Sequence, residues 1–392
     1  MRFTIDIDYP PEKMAVSARR WQAKEHFRYA GRVPVAFCAV PRFFAPIFGL
    51  RYGHFFSEPE TQFYWQLQFI KYRLENIPED ACCGTTIHIG PYFDNVVNAS
   101  AFGAEIGWSD TETPRALPVI KDVSQVDALA IPEPTSGLWG RVLSWWHRMR
   151  ELAAETQVTF NGKPGSVEMN QLSIGGEGPH MIAVDLVGTD FYWWMSEYPE
   201  ACHKLLDKIA TGMIRAENAF RALDPRPRGG YGIAEDSAQI ASPEMFRQFC
   251  VPYDNRLYEA FGAGLKNGRG MHMCGVSTHL HKVLVDDARI TSFDIFGYQV
   301  PPAVAARNMG GRVYLWGNIS PMLMLNGSKA DVKKAARECL AALAPCGGFT
   351  LGDGANVCPG TPIENLAALT EAADEYGVPP GMHFEPAILS PT

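Results

Sequence analysis

Apolar and polar positions follow two rhythms along the chain. Glu60 to Ile77 places Phe63, Leu67, Ile70 and Leu74 at the spacing of one buried helix face, and Ala15 to Ala30 reads as a helix with its charges on one side. Val33 to Cys38, a short apolar run after a turn, is the first predicted strand. From about residue 115 onward, short apolar runs alternate with longer helical patterns. Val158-Thr159-Phe160, the apolar run Met181 to Val187, and the helix Pro199 to Ala222 begin the series. A Gly-flanked strand follows at Gly229 to Ala234, and Ser242-Pro243-Glu244 starts a helix, with an N-cap serine and proline at the first helical position. Strands are predicted at Met271–Cys274, Ile290–Asp294, Arg312–Trp316 and Gly348–Leu351. Helices are predicted at Thr278–Val285, Ala330–Leu343 and Ile363–Tyr376, the last stopped by Gly377.

Such alternation predicts an α/β chain, specifically a (β/α)8 TIM barrel over residues 111–378. A helical, aromatic-rich extension over 1–110 precedes it, and an irregular tail over 379–392 follows. The rival is a doubly wound open sheet. No Gly-x-Gly-x-x-Gly opens a helix after a first strand, which weakens a nucleotide-binding reading.

Composition narrows the classes. The chain has 392 residues, 46% hydrophobic and 20% charged, enough to bury a large core. A net charge of −8 without a cluster of Lys and Arg argues against nucleic acid as a partner. No uncharged apolar run reaches the length of a membrane span, and the N-terminal stretch lacks an apolar signal core, so a cytoplasmic protein is expected. Nine scattered cysteines in so long a chain read as free thiols rather than as a disulfide framework.

Candidate chemistry gathers where a barrel would put it, at the C-terminal strand ends. His272 and Cys274 stand two apart in Met271-His272-Met273-Cys274-Gly275, so a strand turns both to one side. Imidazole and thiolate are ligands suited to zinc; a buried histidine beside a core thiol is the alternative. Cys358, in a Gly/Pro-rich loop after the last predicted strand, is the natural third ligand. Glu235 and Asp236 either cap the next helix or act as catalytic carboxylates beside a metal. Asp353 and Asn318 end later strands, Glu177 sits in the glycine run Gly175-Gly176-Glu177-Gly178, and Tyr192 opens an aromatic cluster. Asp353 is a further catalytic candidate; Glu177, Asn318 and Tyr192 are substrate-binding candidates.

From Leu117 to Gly377 the chain resembles the uroporphyrinogen decarboxylase superfamily, which includes zinc-dependent corrinoid methyltransferases. The matching stretches are Gly178-Pro179 with Val187-Gly188, Glu235-Asp236 followed by Ser242-Pro243-Glu244-Met245-Phe246, and His272-Met273-Cys274-Gly275. Gly317-Asn318-Ile319-Ser320-Pro321 and Gly360-Thr361-Pro362-Ile363-Glu364-Asn365-Leu366 complete the set. The resemblance implies a TIM barrel with its site at the C-terminal mouth. The run Arg32 to Arg42 lacks the decarboxylases' propionate-gripping motif, and Asp353 stands where they carry a histidine. The methyltransferase branch implies His272 and Cys274 on zinc, a methylcorrinoid supplied by a partner protein, and, by analogy, a homodimer. Its later cysteine corresponds here to Ala355, with Cys358 the nearest thiol. Two alternatives remain: a metal-free lyase acting on a small carboxylated substrate through Asp236, Asp353 and His272, and a non-catalytic barrel that binds a corrinoid or tetrapyrrole.

Overall fold

A computed structural model describes residues 3–384. Among them, five strands form one parallel sheet: Tyr231–Ala234, Arg269–His272, Ser292–Asp294, Tyr314–Ile319 and Phe349–Asp353, here β1 to β5. Each pairs with the next in chain order, and the register sets Ala234, His272, Asp294, Trp316 and Thr350 side by side. All five C-terminal ends therefore face one way, and the loops that leave them share one rim.

Local chemistry accounts for the connecting helices. Ser242 caps the helix Pro243–Phe249 by accepting a hydrogen bond from the Met245 N–H. The helix Lys329–Leu343 starts from a capping box of Ser328 and Asp331 and buries Val332, Ala336, Cys339, Leu340 and Leu343 as one stripe. The last helix spans Ile363–Tyr376, as the periodicity predicts, and Gly377 ends it with φ 61°. Met181 to Val187, a short apolar run in the sequence, is part of the helix Pro179–Val187. Proline at its first turn favours that state, and burial on nearly every side removes the polar face that would mark a surface helix. The first helix is displaced from its predicted span and runs Pro11–Glu25.

Single parallel bridges prolong the sheet at both edges, Glu177 to Ala234 beyond β1 and Val35 to Leu351 beyond β5. A separate parallel pair joins Thr86–Ile89 to Ser166–Met169. The architecture is α/β, but the assigned strands do not close into the barrel expected from the sequence. One interruption of the ladder lies next to Val33–Phe37. There the Val35 N–H donates to Asp80 Oδ2 at 2.8 Å and the Phe37 N–H donates to Glu79 Oε2 at 2.9 Å. The Asp80 N–H returns a bond to the Val35 carbonyl at 2.8 Å. Side chains thus occupy donors that a neighbouring strand would otherwise use. Among the described residues, no helix is long and apolar enough to cross a membrane.

Candidate metal centre

The sheet brings together three of the predicted site residues. Asp236, His272 and Cys274 each offer one ligand atom, and these atoms lie within 4.8 Å of one another. His272 is the last residue of β2, and its neighbour across the ladder is Ala234, the last of β1. Asp236 follows two residues beyond that strand, so two adjacent strand ends deliver all three donors. The Cys274 N–H donates to Asp236 Oδ1 at 2.7 Å, and His272 Nε2 lies 3.5 Å from Asp236 Oδ2. The His272 and Asp236 side chains keep 28% and 23% exposure, so the cluster is supported by the fold yet open to a ligand.

Burial, reinforced by the charge of Asp236 and a hydrogen bond to it, pushes the Cys274 thiol up to about 12. Without a cation the thiol holds its proton; a bound cation reverses that balance. One nitrogen, one sulfur and one carboxylate oxygen form a donor set that zinc accepts. These residues fit the ion that the sequence motif implies. Asp294 ends β3 opposite His272 in the register. Burial raises its carboxyl, while Lys24 and His272 pull it back down.

Other predicted residues lie elsewhere or are already engaged. Cys358 is not in the donor group; its carbonyl accepts from the Thr361 N–H and Oγ1, opening the turn before the last helix. Glu235 is buried and accepts from the His180 and Met181 N–H groups at 3.1 and 2.9 Å, at the start of Pro179–Val187. Its immediate work is to satisfy a helix N-terminus. Glu177 is also buried rather than presented by its glycines, and it accepts from the Asn98 N–H and Nδ2 at 3.2 and 2.7 Å. Asn318 Nδ2 donates to the Gly297 and Val300 carbonyls at 3.0 and 2.7 Å, pinning the loop after β3. The Tyr192 hydroxyl donates to the Ser237 carbonyl at 2.7 Å, one residue from the cluster. Asp353 Oδ1 accepts from the Cys38 N–H at 2.9 Å, while Oδ2 is buried without a partner. Burial pushes that carboxyl up to about 7.

Sequence reasoning missed two neighbours of the site, one buried and one partly buried. His180 meets the Ser237 hydroxyl at 3.0 Å through Nδ1, its Nε2 is buried without a partner, and burial pushes it down to about 3. Cys38 closes the first predicted strand, and the strand-end rule that selected His272 would have selected it too. Gly275 has a different reason than access for a ligand: a Cβ there would lie 1.4 Å from Gln239 Oε1, which accepts from the Val276 N–H at 2.9 Å.

Behind the cluster, Glu235 and Asp254 are both fully buried, and burial raises both carboxyls, Asp254 to about 8. An unfolded aspartate titrates near 3.9. The native pair therefore holds a proton that the unfolded chain has released. Its contribution is complete below about pH 4 and is lost as pH rises toward 8. Asp254→Asn keeps a buried amide against Glu235 and deletes one titration, so its melting temperature should vary less with pH between 5 and 8 than the wild type's. A tenfold change in proton affinity corresponds to about 1.4 kcal/mol, roughly 3 °C for a domain of this class. Parallel melting curves for the two proteins would refute the linkage.

Gly178 packs against the same pair. A Cβ added there would stand 2.1 Å from Glu235 Oε1 and 2.3 Å from its carboxyl carbon. Gly178→Ala should destabilise the chain by roughly 1–3 kcal/mol, because the carboxylate is already held by two N–H groups. Urea unfolding measures this, and an unchanged midpoint would count against the packing described.

Fold and donor set together define a parallel α/β protein with a candidate metal centre at its strand ends. Comparison with known families is specific: residues 88–376 match uroporphyrinogen decarboxylase (URO-D), more than half of the chain. The chain belongs to the URO-D family. A methylcobamide:CoM methyltransferase from Methanosarcina barkeri is 31% identical over 212 residues, covering 52% of this chain and 58% of the relative. The chain thus spans little more than half the length of that relative. A methylated-thiol–coenzyme M methyltransferase from Methanosarcina mazei is 24% identical over 299 residues, covering 74% of this chain and 72% of the relative. A uroporphyrinogen decarboxylase from Coxiella burnetii is 27% identical over 187 residues, covering 46% of this chain and 49% of the relative. Among solved structures, a methyltransferase from Methanosarcina mazei superposes with a TM-score of 0.65 at 22% identity, covering 92% of this chain and 99% of the other. That likeness is one of fold.

Proposed function

We propose that this protein is a methyltransferase that moves a methyl group between a corrinoid (cobalamin) protein and a small acceptor or donor, using zinc-activated thiolate chemistry. The observation that carries the proposal is the gathering of Asp236, His272 and Cys274 at adjacent strand ends. The methyltransferase relatives support the direction of the reading. His272 and Cys274 would hold the ion, with Asp236 as an exchangeable oxygen ligand. When bound, zinc lowers the pKa of a coordinated thiol and keeps it a nucleophilic thiolate. Asp236 also fixes the Cys274 backbone through the 2.7 Å hydrogen bond, which orients the thiol-bearing loop.

A corrinoid partner needs a surface at that rim. Ile240, Val276, Tyr298 and Met322 are large apolar residues exposed on segments that leave β1, β2, β3 and β4. Their common end of the sheet suits a protein partner better than it suits solvent. We extend the proposal to a cytoplasmic homodimer and to a barrel-type layout. In that layout Val33–Cys38, Thr86–Ile89 and the 166–177 stretch complete the wall, residues 1–110 shape the approach and 111–378 carry the site; most of the expected tail, 379–392, lies outside the described residues.

The test is metal analysis of protein purified without chelator, combined with demethylation of methylcobalamin in the presence of small thiols. Zinc at about one per chain and thiol-dependent loss of the methyl group are expected. Absence of zinc would count decisively against the reading. One observation favours a second reading, a metal-free lyase. Asp353 keeps an unpartnered buried oxygen and a carboxyl raised to about 7, a value suited to general acid–base work. Activity that survives Cys274→Ser but not Asp353→Asn would select the lyase.

A further inference from the structure

We propose that Cys38 supplies a second thiolate to the metal ion held at His272 and Cys274, and that Cys358 does not. The proposal rests on the metal reading above and names a ligand that reading lacks. Asp236 alone is a weak complement to His272 and Cys274, since its Oδ1 is already committed to the Cys274 N–H. A borderline cation gains more from another soft donor.

Position selects Cys38 among the remaining thiols. Cys82, Cys202, Cys250 and Cys339 are buried in the core, whereas Cys38 is only partly buried. Cys346 lies against Gly310, where a Cβ would meet its Sγ at 2.5 Å, and Cys83 follows Cys82 near the start of Thr86–Ile89. Cys358 belongs to the turn into the last helix. Cys38 instead ends the segment that pairs with β5, and its N–H is tied to Asp353, the last residue of that strand. It therefore stands on the same rim as His272 and Asp294.

The groups acting on its thiol agree. Burial pushes Cys38 up to about 12, Asp353 adds to this, Arg73 opposes it, and Cys274 and Asp294 act in the raising direction. Its Sγ lies outside the present 4.8 Å donor group and donates to Asn356 Oδ1 at 3.1 Å, a contact that ligation would replace. On coordination the S–H bond breaks, the sulfur lone pair goes to the metal, and the proton passes to solvent.

The experiment uses the full chain, stripped of metal and titrated with cobalt(II) and then with zinc. In the wild type, thiolate-to-cobalt charge-transfer absorption should report two sulfurs. Cys38→Ser should lose about half of that intensity and bind zinc more weakly by at least the roughly 10–100-fold seen when an outer-shell partner is lost. Cys358→Ser should match the wild type. A second readout needs no variant: bound zinc should protect Cys38 and Cys274 from alkylation together, mapped by peptide mass, and leave Cys358 as reactive as before. Full intensity in Cys38→Ser, or zinc protection of Cys358 in place of Cys38, overturns the assignment while the metal site survives. A wild type that takes up neither ion removes the site and the assignment with it.

Discussion

Replacing His272 by alanine should abolish zinc binding and the proposed methyl-transfer activity together. The imidazole is the one nitrogen donor in the cluster, and it comes from the ordered end of a ladder strand. Its loss leaves Cys274, whose thiol then has little reason to ionise beside Asp236. Loss of an outer-shell partner costs about 10–100-fold in metal affinity, so loss of a direct ligand should exceed roughly 100-fold. Cys274→Ala should behave alike. Zinc per chain after dialysis and the rate of methylcobalamin consumption are the two measurements. Retention of zinc by His272→Ala would place the ion elsewhere. Loss of activity with metal uptake unchanged would assign the histidine to proton transfer.

The second large effect is on stability. Asp80 is buried and receives Arg20 Nη1 at 2.6 Å, Arg32 Nη1 at 2.7 Å and the Val35 N–H at 2.8 Å. Asp80→Ala leaves a buried guanidinium on Arg32, weakens the hold on Arg20, and strands an N–H at the edge of the sheet. Breaking such a network from one side costs about 3–5 kcal/mol, far more than the intact pair is worth. Asp80→Asn retains an oxygen for Val35 and should cost less. Asp374, which also pairs with Arg32 but is 59% exposed, should lose well under 1 kcal/mol as Asp374→Ala. Urea unfolding separates the three. A change below about 1 kcal/mol in Asp80→Ala would mean that water replaces the carboxylate.

The elements read most closely from the sequence were those with a strong period or a clear cap. Ile363–Tyr376 and the Ser242 start carried both signals, and the parallel strands followed from alternation. His272 and Cys274 were legible because their spacing already carries the geometry. Asp236 needed the ladder: only the pairing of β1 with β2 brings it to the other two. Glu235, Glu177 and Asn318 were located at strand ends, but their directions were not legible. A carboxylate that ties down a helix N-terminus and one that faces a mouth look alike in one dimension. Cys358 illustrates the same limit, since proximity in sequence to the last strand does not aim a loop. The barrel is legible as five consecutive parallel strands with single bridges at both edges, while nothing in residues 79 and 80 announces that their side chains will take two backbone donors of Val33–Phe37.

That substitution also bears on how the molecule is assembled. Cys38 and Asp353 are bonded across 315 positions of sequence, and the Val33–Phe37 segment finds its parallel strand partner in the last strand of the sheet. During synthesis nearly the whole chain must emerge before that partner exists. Glu79 and Asp80 emerge soon after the segment and can satisfy part of its edge at once, across 42 and 45 positions. A long wait for a distant contact would otherwise slow folding and leave an apolar edge open to other chains. The two carboxylates thus act as a local placeholder, lowering the effective contact order of the first strand while the rest of the sheet is still being made.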